Sequence, residues 1–525
     1  MIYVILGQTA SGKTSLAIEL AKKHNLPIIS ADAYQCYRMM QIGTDKPTKE
    51  MTQGLSYYFY DEYEPDVDMD VFTFQKKMRP ILEDYVKKGQ DVLVVGGTFL
   101  YIKALLFNYV FSEKTTTDSI YRTMDLASLQ KHLKEKNPSI YDSIDHENPR
   151  RLIRALEQIE EGKDRNEILQ ENNSHPLYPV TFLSIDIDKE EGNRKIDERI
   201  DNMFEEGIVE EVRNLLTKYP ETCHSFLAIG YKEIIQGIRE NRSEEEMREL
   251  IKVHTHQYAK KQRTFIRNQF EHVHFGSKEV IKNRIEVDLS FFQRTQAILP
   301  AKILNRIHMD RCYFVGLGGV GGSSFLSLVR LGVKDFLIQD GDTVDISNLN
   351  RQFLYDSSDI GKKKAEIAKI KAERINPLAD ISEQSSRIEG EESLPKERFD
   401  VIFDCIDDCN AKVCLYEKAK RDHSLYLTSM GAGFHIDSTK IRMGTLKDAF
   451  DPLSKNFKKT LLERGHSEEE FRDIKVVFVT DAALKGKRNS KIIGSISTVP
   501  NAVGLALTSY YLKLIREEQN QEGAN

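Results

Sequence analysis

From its first residues the chain alternates short apolar runs with longer amphipathic ones. "IYVILG", "PIISAD" and "DVLVVGG" are apolar, while "KTSLAIELAKKH" and "FTFQKKMRPILEDYVKK" repeat their apolar positions at helical spacing. Short apolar runs predict buried strands and the 3.6-residue period predicts helices. Their alternation over residues 1–110 therefore predicts βα units around a parallel sheet. Residues 111–175 are polar and read as a helical insertion with a breaker at "ENP". A strand returns at "PVTFLSIDID", and residues 190–270 read as almost wholly helical. The pattern loosens over "HVHFGSKEVIKNRIEVDLS". From "RCYFVGLGG" the alternation restarts through "DFLIQD", "FDVIFDCID" and "SLYLTSMGAG". This predicts two α/β domains, 1–285 and 290–525.

Composition adds bounds. The chain has 525 residues, 40% hydrophobic and 30% charged, with a formal charge of −6. That balance excludes coating nucleic acid through bulk positive charge and leaves a local basic groove open. Six cysteines form no CxxC pair, so neither a disulfide framework nor a zinc site is expected; Cys405, Cys409 and Cys414 read as core positions. The start carries no basic n-region, which predicts a cytoplasmic protein without a signal peptide. "STVPNAVGLALTSYYLKLI" contains Pro500 and several polar residues, which predicts a buried helix and no membrane span. The tail "REEQNQEGAN" is expected to fray.

Two glycine-rich turns carry the chemistry. Gly7, Gly12, Lys13 and Thr14 fit GxxxxGK[ST] between a strand and a helix. The backbone N–H groups of such a loop, through Thr9, Ala10 and Ser11, wrap phosphate oxygens. The lysine neutralises them and the hydroxyl holds Mg²⁺. Asp32 and Thr98 follow the second and third strands, at the strand ends where an open α/β sheet binds its ligands. From the residues alone Asp32 is a Mg²⁺ ligand, a helix cap or a general base. On a helix His256, Lys260, Arg263 and Arg267 share one cationic face. Arg150, Arg151 and Arg154 in "RRLIR" suit phosphate contacts.

"GQTASGKT", "DAYQCYRMMQIGTDKP", "GGTFLY", "NPRRLIRALE" and "THQYAKKQRTFIR" occur in that order. In them the chain up to about 275 resembles the tRNA dimethylallyltransferases. The resemblance implies that the loop, with Lys260, Lys261 and Arg263, grips the diphosphate of dimethylallyl diphosphate. The acceptor it implies is the N6 amine of adenine 37 in a tRNA anticodon stem-loop, extruded from its stack. Asp32 is then the base, Thr98 stands near the reacting groups, and Gln35, with Ala33 and Tyr34 beside it, reads the adenine. Gln8 stands where that family has proline, His256 and Lys261 where it has arginine, and Phe265 where it has tryptophan.

Gly316, Gly318 and Gly321 give GxGxxG after the second domain's first strand, with Gly319 between them and Asp340 at the end of the next strand. That is a dinucleotide fingerprint and predicts a Rossmann-like fold. A redox cofactor needs no basic cluster, yet Asp342, Asn348, Arg351, Gln352 and Lys364 follow at once, and Asp407 ends the third strand. Arginine and lysine suit a triphosphate, and a carboxylate suits Mg²⁺. "FQRTQAIL", "GLGGVGG", "DGDTVDISNLNRQF", "GKKKAEIAKIKAERINP" and "DCIDD" resemble the ATP-dependent activating family of the ubiquitin-activating enzymes and their bacterial relatives. The resemblance implies that Asp340, Arg351 and Lys364 hold ATP, that Asp407 holds Mg²⁺, and that Arg294 reaches a second subunit's ATP in a homodimer. "TSMGAGFHIDSTKIRMGTLKDAFDPL" is similar to the tRNA threonylcarbamoyladenosine dehydratase branch, with Phe434 and Ser438 in place of its asparagine and proline. The implied protein is a fusion of two enzymes acting on tRNA position 37. The alternatives left open are activation of a small sulfur-carrier-like protein by the second domain, prenylation of free adenine nucleotides by the first, and a scaffold that has kept only binding.

Overall fold

The computed structural model describes residues 1–109, 120–160, 175–484 and 493–522. The chain divides into two compact units, Met1–Lys282 and Asn283–Asn525.

In the first unit the strands are β1 (Ile2–Leu6), β2 (Ile28–Ser30), β3 (Tyr57–Tyr58), β4 (Val92–Val95), β5 (Val180–Ile185) and β6 (His274–Gly276). They pair in the order β3-β2-β4-β1-β5-β6, every pair parallel. β1 and β4 are buried throughout, as a sheet covered on both faces requires. The helices used below are α1 (Lys13–His24), α2 (Phe99–Leu106), α3 (Pro149–Glu160), α4 (Lys189–Glu205) and α5 (Glu244–Gln269). Strands β2, β4 and β1 are neighbours and parallel, so the segments that follow them end at one edge of the sheet. Residues 7–14, 31–35 and 96–98 meet there although up to 90 residues separate them in sequence. The expected insertion is helical where it is described: Leu126–Lys136, Pro138–Ser143 and α3 surround a small core of Leu129, Leu133, Leu152 and Leu156. The rest of the expected span lies outside the described residues.

The loosened stretch before the second domain holds β6 and then a helix, α6 (Lys278–Phe291), and the division between units falls inside that helix. Ile281 and Ile285 are buried one turn apart, but Val280 and Val287 are exposed and blur the helical period.

The second unit contains β7 (Arg311–Val315), β8 (Asp335–Gln339), β9 (Asp380–Gln384), β10 (Val401–Asp404), β11 (Leu425–Ser429), β12 (Ile441–Thr445) and β13 (Lys475–Val479). Their order is β12-β13-β11-β10-β7-β8-β9, parallel except for the β12–β13 pair. Alternate residues of β7 enter two different cores, Cys312 and Phe314 one, Tyr313 and Val315 the other. Helices α7 (Gly319–Leu331), α8 (Lys364–Ile375), α9 (Cys409–Asp422) and α10 (Thr498–Glu522) complete the unit. The apolar stretch near the C-terminus is the buried helix expected. α10 packs on α7, with the Ser324 and Thr508 hydroxyls 3.2 Å apart. It also runs on to Glu522, through most of the tail expected to fray. Among the described residues no helix is long and apolar enough to cross a membrane.

Candidate functional site

At the sheet edge of the first unit the glycine loop is held from outside its own motif. Thr9 N–H donates to Gln262 Oε1 of α5 at 2.7 Å, and Arg199 of α4 donates from Nη1 to Thr9 Oγ1 at 2.6 Å. Arg263 of α5 donates to the Gln8 side-chain oxygen. Lys13 Nζ rests on Gln8 O at 3.2 Å. Burial brings the Lys13 ammonium down to about 8; Arg199 adds to the shift, and Asp32 and Asp45 oppose it. Thr14 is half-buried in the first turn of α1, where backbone N–H groups point out of the helix toward an anion.

Asp32 sits beside this cradle. Its Oδ1 accepts the Tyr34 and Gln35 N–H groups at 3.0 and 3.2 Å, an Asx turn that fixes the carboxylate. Thr98 Oγ1 accepts Ala33 N–H at 3.1 Å, which ties the β4 end to the β2 end. Gln262 Nε2 and the Tyr258 hydroxyl both donate to Gly97 O at 3.1 Å. Gln35 is buried, and its amide N–H₂ is committed to Thr44 O and Asp45 O, both at 3.2 Å. That leaves its Oε1 as the group able to accept from a ligand.

The single cationic face expected on α5 is divided. Arg263 meets the loop, and His256 pairs with Asp197 at 2.7 Å and Asn193 at 3.1 Å. Lys260 and Lys261 line a separate open groove of about 530 Å³ with Phe265 and Asn268. Phe265 also stacks on Phe99 with ring centroids 5.5 Å apart. Arg150, Arg151 and Arg154 lie in α3; Arg151 is exposed, 3.7 Å from Asp145, and the side chains of Arg150 and Arg154 lie outside the described residues. Arg199, Gln262 and Tyr258 escape a reading of the sequence for different reasons. Arg199 belongs to no glycine or acidic motif. Gln262 and Tyr258 stand among the cations of "THQYAKKQRTFIR", and nothing in that pattern marks a neutral side chain as the tether.

In the second unit β10, β7, β8 and β9 are neighbours, so their ends also converge. A Cβ at Gly321 would stand 1.8 Å from Gly316 O, so only glycine lets α7 start this close to the strand. Asp340 Oδ2 accepts Leu317 N–H at 2.7 Å and its Oδ1 accepts Asp342 N–H at 2.8 Å, tying the β8 end to the glycine loop. Asp342 Oδ2 meets Lys364 Nζ at 3.0 Å, and its Oδ1 meets Arg387 Nη2 at 2.7 Å. Burial works to raise the Asp342 carboxyl, but the two cations overcome it and hold it below the ordinary range. Asn348 Oδ1 accepts Asp345 N–H at 3.2 Å. Arg351 is held by Ser347 O at 2.6 Å and Asn350 Oδ1 at 3.1 Å. Gln352 is buried below Gly318. Arg294, on the short helix Gln293–Gln296, is exposed.

Asp407 is exposed three residues beyond a fully buried ion pair, Asp404 with Lys412 at 3.0 Å. Lys412 Nζ also donates to Thr428 Oγ1 at 2.6 Å and Ser429 O at 3.1 Å, so it joins the β10 and β11 ends. Burial pushes the Cys405 thiol up to about 12 and raises Cys409 as well, the behaviour of core cysteines rather than thiolate nucleophiles.

Among the described residues no three His, Cys, Asp or Glu side chains gather as a metal cage. The donors at hand include the Thr14 hydroxyl with Asp32 at the first loop, and Asp407 with Asp340 and Asp342 at the second. That donor set fits Mg²⁺, which keeps its waters and takes most of its remaining ligands from substrate phosphates.

A family model described as IPP transferase matches residues 35–269, and one described as ThiF family matches residues 292–525. The tRNA dimethylallyltransferase of Oceanobacillus iheyensis is 38% identical over 273 residues, 50% of this chain and 87% of that protein. The tRNA dimethylallyltransferase of Bacillus anthracis is 37% identical over 279 residues, 51% of this chain and 88% of that protein. Among solved structures, a tRNA isopentenylpyrophosphate transferase from Staphylococcus epidermidis is similar, at 32% identity and a TM-score of 0.42. The match covers 55% of this chain and 98% of that one. The tRNA N6-threonylcarbamoyladenosine dehydratase of E. coli, solved with ATP, matches at 24% identity and a TM-score of 0.40. It covers 44% of this chain and 96% of that one.

Proposed function

Because this chain belongs over its first half to the tRNA dimethylallyltransferase family, we propose that it is a bifunctional enzyme of tRNA position 37. Its first unit transfers dimethylallyl to adenine N6, and its second carries out ATP-dependent cyclisation of threonylcarbamoyladenosine. The anticodon stem-loop is the shared macromolecular substrate, and the cytoplasm is the setting where tRNA, ATP and isoprenoid diphosphates meet.

In the first reaction the N6–carbon bond forms as the carbon–oxygen bond to diphosphate breaks. The amine is weakly nucleophilic because its lone pair is shared with the ring, so a base must take its proton. One observation carries this reading: Asp32 binds the loop backbone through Oδ1 alone, and among the described residues nothing occupies Oδ2. Oδ2 receives the proton. Ala10 and Gly12 N–H groups, with Lys13, Arg199 and Arg263, take up the charge on the departing diphosphate, while the Thr9 and Ser11 N–H groups hold the loop's shape on Gln262 and Gln8. Mg²⁺ bound through Thr14 would neutralise part of that charge. Gln35 Oε1 is the acceptor available for an adenine N–H.

In the second reaction the threonyl carboxylate attacks the α-phosphorus of ATP, which releases diphosphate and leaves a mixed anhydride. A heteroatom of the carbamoyl group then attacks the activated carbonyl, closing the ring and releasing AMP and a proton. Asp340 sets the glycine loop, and Lys364 and Arg351 offer cations to the phosphates. Asp407 is the carboxylate for Mg²⁺, which would screen the triphosphate. The proposal includes a homodimer of this unit, with the exposed Arg294 reaching the neighbouring site.

The test is mass spectrometry of position-37 nucleosides after two incubations. Unmodified tRNA with dimethylallyl diphosphate should gain the mass of one dimethylallyl group less the hydrogen it replaces. tRNA bearing threonylcarbamoyladenosine, given ATP and Mg²⁺, should lose one water. Absence of either change removes the corresponding half of the proposal.

A further inference from the structure

We infer that Arg387, a residue outside every motif of the sequence, is a second cation for the β- and γ-phosphates of ATP in the second unit. The inference rests on the ATP-using reading of that unit. Arg387 follows β9 by three residues, at the same edge of the sheet as the glycine loop. Its chain crosses closely over the turn between Asp340 and Asp342. A Cβ at Gly341 would stand 2.4 Å from Arg387 Cγ and 2.9 Å from its backbone N, so the turn accepts only glycine. The arginine is thus built onto the turn that carries both aspartates.

Its guanidinium ends on Asp342 Oδ1 at 2.7 Å, while Lys364 Nζ takes Oδ2 at 3.0 Å. One carboxylate therefore holds two cations, and their surroundings differ. The Lys364 side chain is 6% exposed and fixed in the floor; that of Arg387 is 75% exposed and free to turn. Asp340 and Asp407 lie within its electrostatic reach as well. Before nucleotide arrives, Lys364 and Arg387 are both committed to the one carboxylate of Asp342. An exposed ion pair opens readily. Arg387 spends one N–H on Asp342 and keeps the others for a planar, two-point grip on phosphate oxygens. Turning from Asp342 to the phosphates brings positive charge in and leaves Asp342 to Lys364.

The experiment is calorimetric titration of the full chain with a non-hydrolysable ATP analogue plus Mg²⁺, and separately with AMP. Arg387→Ala should weaken the analogue about tenfold or more while AMP stays within about twofold, and Arg387→Lys should recover part of the loss. The unfolding midpoint should not move, because the side chain is exposed. Unchanged affinity for the analogue in Arg387→Ala overturns the inference. So does an equal loss for analogue and AMP, which would put the contact on the nucleoside instead. A wild-type chain that binds neither ligand overturns the ATP reading itself and this inference with it.

Discussion

At Asp32 one carboxylate oxygen holds the loop, and the other is the one the proposed mechanism assigns to take the proton. Asp32→Asn keeps an acceptor for the Tyr34 and Gln35 N–H groups but removes the proton acceptor. Single-turnover dimethylallyl transfer should fall roughly 10²–10⁴-fold with the fold intact; a near-normal rate in a quench experiment would end the general-base assignment. Lys13 gives a pH dependence. Diphosphate binds its charged form, and burial has brought its pKa to about 8. Affinity for inorganic diphosphate should therefore be full below pH 8 and decline as pH rises through it, by roughly tenfold per unit well above. Lys13→Arg, which does not titrate there, should flatten the titration profile; a wild-type affinity constant from pH 7 to 9 would show that burial does not control this lysine. Asp32, Thr98 and Lys13 were legible in the sequence because each sits in a short motif at a strand end. Arg199 and Arg387 were not. They meet their partners across 190 and 45 residues, and nothing in the local pattern marks a cation that long-range folding brings to a loop.

α5 shows what an element adds to its residues. The sequence predicts helix through residues 190–270 with His256, Lys260, Arg263 and Arg267 on one cationic face, whereas His256, Lys260 and Arg263 turn to different surroundings. In the fold, Gln262 is buried between two strand-end loops, accepting from Thr9 N–H and donating to Gly97 O. A neutral amide, not the neighbouring lysines, fastens the helix to the phosphate loop. Gln262→Ala strands a loop N–H and a carbonyl in a buried place. At about 1 kcal/mol per lost hydrogen bond, donor affinity should fall roughly 5–30-fold. Gln262→Glu keeps the acceptor for Thr9, so it should stay closer to wild type than Ala in a KM measurement for dimethylallyl diphosphate. Equal KM values for wild type and Gln262→Ala would show that the tether does not shape the loop. The βα alternation itself was readable because its strands are short, continuous apolar runs. α6 was not, because its two exposed valines mask the spacing of its buried isoleucines.

On the scale of the whole molecule, the two units present two phosphate cradles of different design, and each design follows its anion. In the proposed reactions the first loop wraps a diphosphate that leaves intact. The second lies among carboxylates and cations suited to a triphosphate that is cleaved. The chemistry of the nucleobase then limits how they can cooperate. The first reaction needs a free N6 amine. The second needs that same nitrogen already to carry a threonylcarbamoyl group. If both proposed reactions hold, no single adenine meets both conditions, neither product is a substrate for the other site, and one chain joins the reactions without channelling between them. Given bulk tRNA lacking both modifications, a separate threonylcarbamoylating system, dimethylallyl diphosphate and ATP, the enzyme should yield two disjoint sets of tRNA. One set should carry dimethylallyl at position 37 and the other the cyclised group. Sorting individual tRNAs before nucleoside mass spectrometry reads this directly. A single position 37 bearing both groups, or cyclisation that requires prior dimethylallyl transfer, would mean that the substrate of at least one unit is not the one proposed.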